Sequence, residues 1–74
     1  MNMAAVKSSN ISKAGYENGT MRIQFSNGTQ YDYKGVSPQI FDDFISAKSQ
    51  GRYYHTVIRA RFTGTKVAEE KENG

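Results

Sequence analysis

The stretch MRIQFSNGTQYDYKG, residues 21–35, contains the pattern that decides the fold. Apolar and polar side chains alternate before and after the dipeptide Asn27-Gly28, as expected for strands with one buried face. An Asn-Gly pair between two alternating runs is a strong hairpin signal, because both residue types tolerate a positive φ. The stretch therefore predicts two antiparallel strands. The side chains on their largely apolar face are Met21, Ile23, Phe25, Tyr31 and Tyr33.

A further strand is predicted on the N-terminal side of this hairpin. The pair Asn18-Gly19 repeats the turn signal, and residues 10–17 form a weaker strand with Ile11 and Tyr16 as its main apolar residues. The pattern as a whole predicts a three-stranded antiparallel meander.

Chain length and composition limit the rest of the architecture. Seventy-four residues make one domain, and a chain of this size buries only about 60% of its unfolded surface. We expect a flexible N-terminus over residues 1–5, a folded domain over 6–63 and a flexible acidic tail over 64–74. The tail has few apolar residues and would fray. There is no cysteine to supply a disulfide, so a homo-oligomer is the expected supplement to a small core.

A helix is predicted to begin at Ser37-Pro38. The serine hydroxyl can cap free amides, and proline at the first helical position loses no hydrogen bond. Side chains that recur at spacings of three and four then form one largely apolar face toward the sheet. We expect this helix to end at Gly51. The residues of the face are Ile40, Phe41, Phe44, Ile45 and Lys48.

Residues 52–62, RYYHTVIRARF, fit two structures. Tyr54, Ile58 and Phe62 satisfy both a helical spacing and a strand alternation. A strand would place Thr56 and Ala60 on the face of Ile58, so a short second helix is preferred and a fourth strand remains the alternative. The predicted fold class is α+β, with the meander packed by one amphipathic helix.

Charge and hydropathy exclude some classes of protein and favour others. The formal net charge is +3, and the tail has three glutamates and one lysine, so residues 1–66 carry about +5. A basic segment without carboxylates favours an anionic partner. No stretch has the length of a transmembrane helix or the apolar run of a signal peptide, so we expect a cytoplasmic protein without a membrane partner. The cations of the segment are Lys48, Arg52, Arg59, Arg61 and Lys66.

Catalytic motifs are not found. His55 is the single histidine, and no serine lies in a nucleophile-elbow context. Asp42 and Asp43 are neighbours on the predicted helix and project about 100° apart, so they do not converge as an acid and a base. No glycine-rich phosphate loop and no metal-ligand cluster is present. The sequence predicts a protein that is not an enzyme and that has no metal or cofactor.

The remaining signal is aromatic and basic. Tyrosine rings beside arginine suit a nucleotide, because every base offers a face for stacking and every phosphate attracts a guanidinium group. If residues 52–62 are helical, Arg52, His55 and Arg59 form one polar stripe that faces away from Tyr54. Tyr31 and Tyr33 are expected at the rim of the core, where their hydroxyl groups reach a shallow ligand surface.

Three segments together resemble the KTSC domain, a family of about sixty residues. They are VKSSNISKAGY (residues 6–16), MRIQFSNGTQYDYKGVS (21–37) and FDDFISAKSQGRYYHTVIRARF (41–62). The family occurs alone in bacteria and phages, and attached to the C-terminus of some lysyl-tRNA synthetases, so the resemblance implies RNA binding. Its motif positions here are Ser8, Ser9, Tyr31, Tyr33, Ser49, Gly51, Arg52, Ile58 and Arg59.

Two positions depart from the family pattern. His55 stands where asparagine is more usual, so a ligand contact at this position is expected to depend on pH. Phe62 stands in place of a terminal tyrosine. Of the motif positions, Gly51 and Ile58 are interpreted as structural.

The resulting prediction is a non-catalytic binding module for an anionic, base-containing ligand, with RNA preferred. One alternative is a phage-type homo-oligomer that sequesters a small cyclic nucleotide, as an immune-evasion sponge in the host cytoplasm. A protein-interaction module is the other alternative. The predicted ligand-binding residues are Ser8, Ser9, Tyr31, Tyr33, Ser49, Arg52, Tyr53, His55 and Arg59.

Overall fold

The computed structural model describes residues 2–67, which fold as a five-stranded antiparallel sheet with helices between the last two strands. Strand order in the sheet follows chain order, so each strand pairs with its neighbours in sequence. The strands are β1 (Met3–Ala5), β2 (Ile11–Glu17), β3 (Thr20–Phe25), β4 (Gln30–Lys34) and β5 (Gly64–Lys66). The helices are α1 (Pro38–Ser46), α2 (Gln50–Tyr53), a π-helical turn (Tyr54–Ile58) and α3 (Arg59–Arg61).

The two predicted hairpins are present, with different turns. Asn18 and Gly19 have φ values of 51° and 79°, as a two-residue turn of the primed type requires. In the second hairpin only Gly28 has a positive φ, of 92°, and the loop is longer. There the Gly28 amide donates to the Phe25 carbonyl over 2.9 Å, and the Phe25 amide donates to the Thr29 carbonyl over 2.8 Å.

The prediction of three strands and loose ends was wrong at both edges of the sheet. β1 pairs with β2 through Met3 and Gly15, and β5 pairs with β4 through Tyr33 and Gly64. Each edge strand has only three residues, too few to show a periodicity, and forms because a neighbouring strand offers free backbone groups. Strand β5 thus occupies the start of the segment predicted to be a flexible tail. The acidic residues of that tail lie outside the described residues.

Helix α1 begins as predicted and ends earlier. The Ser37 hydroxyl accepts from the Ile40 amide over 3.3 Å, and Pro38 is the first helical residue. The chain leaves the helix at Ala47, which is extended. Gly51 is therefore part of α2 rather than the end of α1. Residues 50–61 form one continuous helical run, here called the second helical run, so the helical alternative for the last element is confirmed.

Both helical segments cover the same face of the sheet. Phe44 of α1 and Ile58 of the second helical run are fully buried with Met21 and Ile23. The opposite face is polar. On this face Arg22 of β3 forms a bidentate ion pair with Asp32 of β4, with Nε–Oδ1 at 2.7 Å and Nη2–Oδ2 at 3.0 Å. Among the described residues no helix is long and apolar enough to cross a membrane.

Candidate functional site

A cleft of about 390 Å³ lies between the C-terminal edge of the sheet and the end of the second helical run. We call it the aromatic cleft. Its walls combine three strands, β3, β4 and β5, with the second helical run. These elements are distant in sequence, so the cleft exists only in the folded chain. The residues that line it are Phe25, Tyr31, Tyr33, Tyr54, Arg59, Phe62 and Gly64.

Tyr33 forms the floor of the aromatic cleft. Its side chain is only 4% exposed, whereas Tyr31, two residues earlier on the same face of β4, is half-buried. The difference comes from β5, where Gly64 pairs with Tyr33. A Cβ at Gly64 would lie 2.7 Å from Cε2 of Tyr33, so the glycine backbone rests directly on the ring. Tyr33 is therefore a core residue, and Tyr31 occupies the rim.

The aromatic rings of the cleft hold one another edge to face. The Phe25 ring is 5.8 Å from Tyr31 at 78° and 5.5 Å from Tyr54 at 73°. Tyr33 and Tyr54 are 5.9 Å apart at 77°. Edge-to-face pairs of this kind contribute about 0.5–1.5 kcal/mol beyond the area that they bury. The ring positions are thus set before any ligand arrives.

Tyr33 and Tyr54 also share a hydrogen bond between their hydroxyl groups, with the oxygens 2.6 Å apart. Burial and this hydrogen bond raise the pKa of Tyr33 well above its ordinary value of 10.0, and the nearby Arg59 charge opposes the rise. The Tyr33 hydroxyl stays protonated at neutral pH. In a pair of hydroxyl groups only one hydrogen is used between them, so the pair keeps a second hydrogen to donate to a ligand.

The π-helical turn brings Tyr54 and Arg59 to the same cleft. The Arg59 amide donates to the Tyr54 carbonyl, five residues back. In a regular α-helix two residues five apart would point about 140° away from each other. The wider turn reduces that angle, and π-turns of this kind are common at functional sites. The prediction that Arg59 faces away from Tyr54 was therefore wrong.

Positive charge lies at the mouth of the cleft. Arg59 is exposed, and its Nη1 lies 3.5 Å from Nδ1 of His55, which is exposed as well. Lys66 pairs with Tyr31 across β4 and β5, and directly opposed side chains lie on the same face of a sheet. No carboxylate is among the described residues that line the cleft. The mouth thus suits an anionic group.

Ser8 and Ser49 are placed away from the cleft, where they stabilise the backbone. The Ser8 hydroxyl accepts from the amides of Asn10 and Ile11 over 3.2 and 3.4 Å. A Cβ at Gly51 would lie 2.9 Å from Ser8 Oγ, so the loop after β1 meets α2 closely. Ser49 caps α2 by accepting from the Arg52 amide over 3.3 Å. These contacts give both serines a structural role.

Ser9, Arg52 and Tyr53 do not line the aromatic cleft either. Ser9 contributes its carbonyl, which accepts from the Ser26 hydroxyl over 2.9 Å. Arg52 is exposed, on the first turn of the second helical run. The Tyr53 ring lies 6.2 Å from Phe44 and packs against the core, and burial raises its pKa. Of the predicted stripe only His55 and Arg59 are in contact.

Five residues at the cleft were not among the predicted site residues. Phe25 and Tyr54 appeared in the sequence as apolar members of their elements, which indicated core packing. Gly64 and Lys66 were assigned to the tail, since a three-residue strand shows no sequence pattern. Gly64 and Lys66 reach the cleft only because β5 pairs with β4, and this pairing is a property of the folded chain. The five residues are Phe25, Tyr54, Phe62, Gly64 and Lys66.

The aromatic cleft combines ring faces and edges, paired phenol hydroxyls and a guanidinium group. Within residues 2–67 no three histidine, aspartate or glutamate side chains come together to hold a metal ion. The fold and the cleft thus define a small antiparallel α+β domain with a preformed aromatic cleft at one edge of its sheet.

The chain belongs to the KTSC domain family, whose model matches residues 7–62. A protein from Tsukamurella paurometabola is 37% identical over 62 residues, covering 81% of this chain and 92% of the relative. An uncharacterized protein from Stutzerimonas stutzeri is 31% identical over 61 residues, covering 80% of this chain and 86% of the relative. The resemblance inferred from the sequence is confirmed.

A solved structure supports the same fold. The crystal structure of a KTSC domain protein from Yersinia pestis matches this chain with a TM-score of 0.83 and 36% identity. The match covers 90% of this chain and 97% of the Yersinia chain. Gly64, which closes one wall of the aromatic cleft, lies two residues beyond the end of the family match.

Proposed function

We propose that this protein is a non-catalytic binding domain for single-stranded RNA and that the aromatic cleft takes one nucleotide of the strand. The base stacks against the exposed part of the ring cluster, with Tyr31 at the rim. Arg59 holds the phosphate at the mouth. A cytoplasmic location, where RNA is abundant, forms part of the proposal.

The observation that carries the proposal is the position of Arg59 at the mouth of a preformed cleft lined by five aromatic rings. Base stacking on an aromatic side chain contributes about 1–3 kcal/mol and tolerates any base. A guanidinium group pairs with a phosphate through two parallel hydrogen bonds. The volume of about 390 Å³ is within the range of small-ligand pockets and suits one nucleotide rather than a folded RNA.

Electrostatics support the same ligand. Lys66 adds a second cation beside Tyr31, and no carboxylate among the described lining residues opposes the two. A strand of RNA would pass its backbone along this mouth while placing its bases inward. Because each phosphate contact releases counterions, affinity for a single strand should fall with salt, with a slope of about 0.7 for each phosphate held.

Native mass spectrometry of the purified protein tests the proposal. The protein would be measured alone and with RNA oligomers of increasing length, a mononucleotide and a cyclic dinucleotide. We expect complexes with the RNA oligomers that weaken as ammonium acetate concentration rises. A matched DNA oligomer, which lacks the 2′-hydroxyl groups, shows whether the domain distinguishes the two sugars.

Two results would contradict the proposal. A discrete dimer or tetramer that retains a cyclic dinucleotide and ignores RNA would favour the sequestering function. Failure to bind any nucleotide would favour a protein-interaction module. The oligomeric state measured without ligand also tests the expectation of a homo-oligomer.

A further inference from the structure

A second cleft adjoins the aromatic cleft and shares one wall with it. Its volume is about 380 Å³, and we call it the asparagine cleft. Phe25 lines both clefts and is held in place by its edge-to-face contacts with Tyr31 and Tyr54. The residues that line the asparagine cleft are Asn10, Phe25, Ser26 and Asn27.

The asparagine cleft offers neutral hydrogen-bonding groups that the fold does not use. The backbone of Asn10 is engaged, since its amide donates to Ser8 Oγ over 3.2 Å and its carbonyl accepts from the Ser26 amide over 2.8 Å. Its side-chain amide makes no hydrogen bond within residues 2–67. The Asn27 side chain accepts from the Thr29 amide through Oδ1 over 2.9 Å, which leaves its NH₂ group to donate.

The chemistry of the two clefts differs in kind. The aromatic cleft has rings and a cation, which bind any base and a phosphate. The described residues that line the asparagine cleft include no charged side chain, so the cleft is not built for a phosphate. Neutral amides recognise the edge of a base, because donors and acceptors on the edge distinguish one base from another.

From these contacts, and resting on the proposed RNA binding, we infer that the domain binds two neighbouring nucleotides. The first lies in the aromatic cleft without base preference. The second lies in the asparagine cleft and is preferentially adenine, with Phe25 between the two bases. The side-chain amide of Asn10 presents a donor and an acceptor side by side. This pair matches the N7 acceptor and the N6 amino donor of adenine.

A competition binding experiment with two RNA hexamers tests the inference. One hexamer contains only uridine, and the other has a single adenosine at its third position. We expect the hexamer with adenosine to bind about tenfold more tightly, which is within the discrimination typical of one bidentate amide contact. A tenfold difference corresponds to about 1.4 kcal/mol.

The variant Asn10→Ala should abolish the difference in affinity between the two hexamers. The substitution keeps both backbone hydrogen bonds of residue 10, and the midpoint of urea unfolding verifies the fold. Asn2→Ala is the matched control, because Asn2 is exposed and lines neither cleft. It should retain the preference for the hexamer with adenosine.

The outcomes separate the inference from the proposed function. Equal affinity of the wild-type protein for the two hexamers would overturn the inference and leave RNA binding intact. A preference that survives Asn10→Ala would overturn it as well, since the selectivity would then come from another surface. If neither hexamer binds, both the inference and the proposed function fail.

Discussion

Gly64 on β5 is paired with Tyr33 on the neighbouring strand β4, and its backbone packs against the tyrosine ring. A Cβ at position 64 would be 2.7, 2.8 and 2.9 Å from Cε2, Cζ and the hydroxyl oxygen of Tyr33. A real Cβ does not approach other atoms so closely. The glycine is therefore required by the ring opposite it, and its φ plays no part. The pair joins the last described strand to the floor of the aromatic cleft.

We expect Gly64→Ala to lower the free energy of unfolding by about 1–3 kcal/mol, the usual cost of an extra group in a packed site. The added methyl group must displace either β5 or the Tyr33 ring. Urea unfolding followed by circular dichroism measures the change. Thr65→Ala is the control, because Thr65 is exposed, and it should change stability by less than about 0.5 kcal/mol.

Gly64→Ala should lower the free energy of unfolding much less in a Tyr33→Leu background, since leucine lacks the ring atoms that the methyl group would meet. Comparison of the two single variants with the double variant gives the coupling energy. An equal effect of Gly64→Ala in both backgrounds would show that the ring is not the cause.

Tyr33 should make the free energy of unfolding depend on pH in the alkaline range. Burial and the hydrogen bond to Tyr54 raise its pKa in the folded state above 10.0. Below pH 10 both states hold the proton, so the stabilisation is fully present. Above that pH the unfolded state releases the proton while the folded state keeps it, and the free energy of unfolding falls as pH rises. Tyr33→Phe should reduce this slope.

The measurement is urea unfolding at several pH values between about 8 and 11, a window that spans the ordinary pKa of tyrosine. Tyr54→Phe tests the hydrogen bond separately. Removal of the Tyr54 hydroxyl leaves the buried Tyr33 hydroxyl without its partner, which should lower the free energy of unfolding by about 1–3 kcal/mol. An unchanged pH slope in Tyr33→Phe would contradict the assignment.

Arg59 should contribute to RNA affinity far more than Arg52. Both are exposed arginines of the second helical run, and only Arg59 lines the aromatic cleft. We expect Arg59→Ala to weaken binding of a short RNA about tenfold and to lower the salt slope by about 0.7, because one phosphate contact is lost. Fluorescence anisotropy at several salt concentrations measures both quantities.

Arg52→Ala removes the same charge from the same helical run and is expected to leave affinity nearly unchanged. Arg59→Lys should fall between the wild type and Arg59→Ala, since lysine keeps the charge and loses the planar group that pairs with a phosphate in two places. Equal losses in Arg52→Ala and Arg59→Ala would mean that binding follows general charge instead of the cleft.

Gly51→Ala should have opposite effects in two backgrounds. In the wild-type protein the new Cβ meets Ser8 Oγ at 2.9 Å, so Ser8 must move and weaken its contacts with the Asn10 and Ile11 amides. In a Ser8→Ala background the nearest atom is Cβ of residue 8 at 3.8 Å, an ordinary contact. There alanine should stabilise the protein by up to about 1 kcal/mol through its helix propensity.

Thermal unfolding of the four proteins in this cycle gives the coupling energy, expected to be about 1 kcal/mol. The two substitutions would be independent if the loop after β1 did not touch α2. Additive effects would therefore contradict the close approach of Ser8 and Gly51.

The elements that the sequence predicts correctly are those with a local cause. The alternation around Asn27-Gly28 places Tyr31 and Tyr33 on one face because side chains on a strand alternate. The turn at Asn18-Gly19 needs residues that tolerate a positive φ. The start of α1 depends on the Ser37 hydroxyl, which caps an amide three residues later in the chain. Each feature depends on neighbours in the chain, so the pattern is visible in the sequence.

The features that the sequence does not predict have a cause elsewhere in the fold. Tyr33 is buried and Tyr31 is half-buried because Gly64 covers only one of them. Arg59 turns toward Tyr54 because one turn of the helical run is wider than the others, and residue periodicity carries no sign of that change. Ser49 looks like a ligand residue in a motif, and the structure shows that its hydroxyl caps α2.

The order of the strands in the chain determines when the aromatic cleft can form during translation. Four strands and the whole second helical run precede Gly64 in the chain, so they leave the ribosome before the residue that covers the Tyr33 ring. A nascent chain that has emerged only as far as Phe62 has the rings and Arg59 but lacks the wall that β5 supplies. The cleft is completed by the last of the described strands, and a chain that has emerged only to Phe62 offers no finished site.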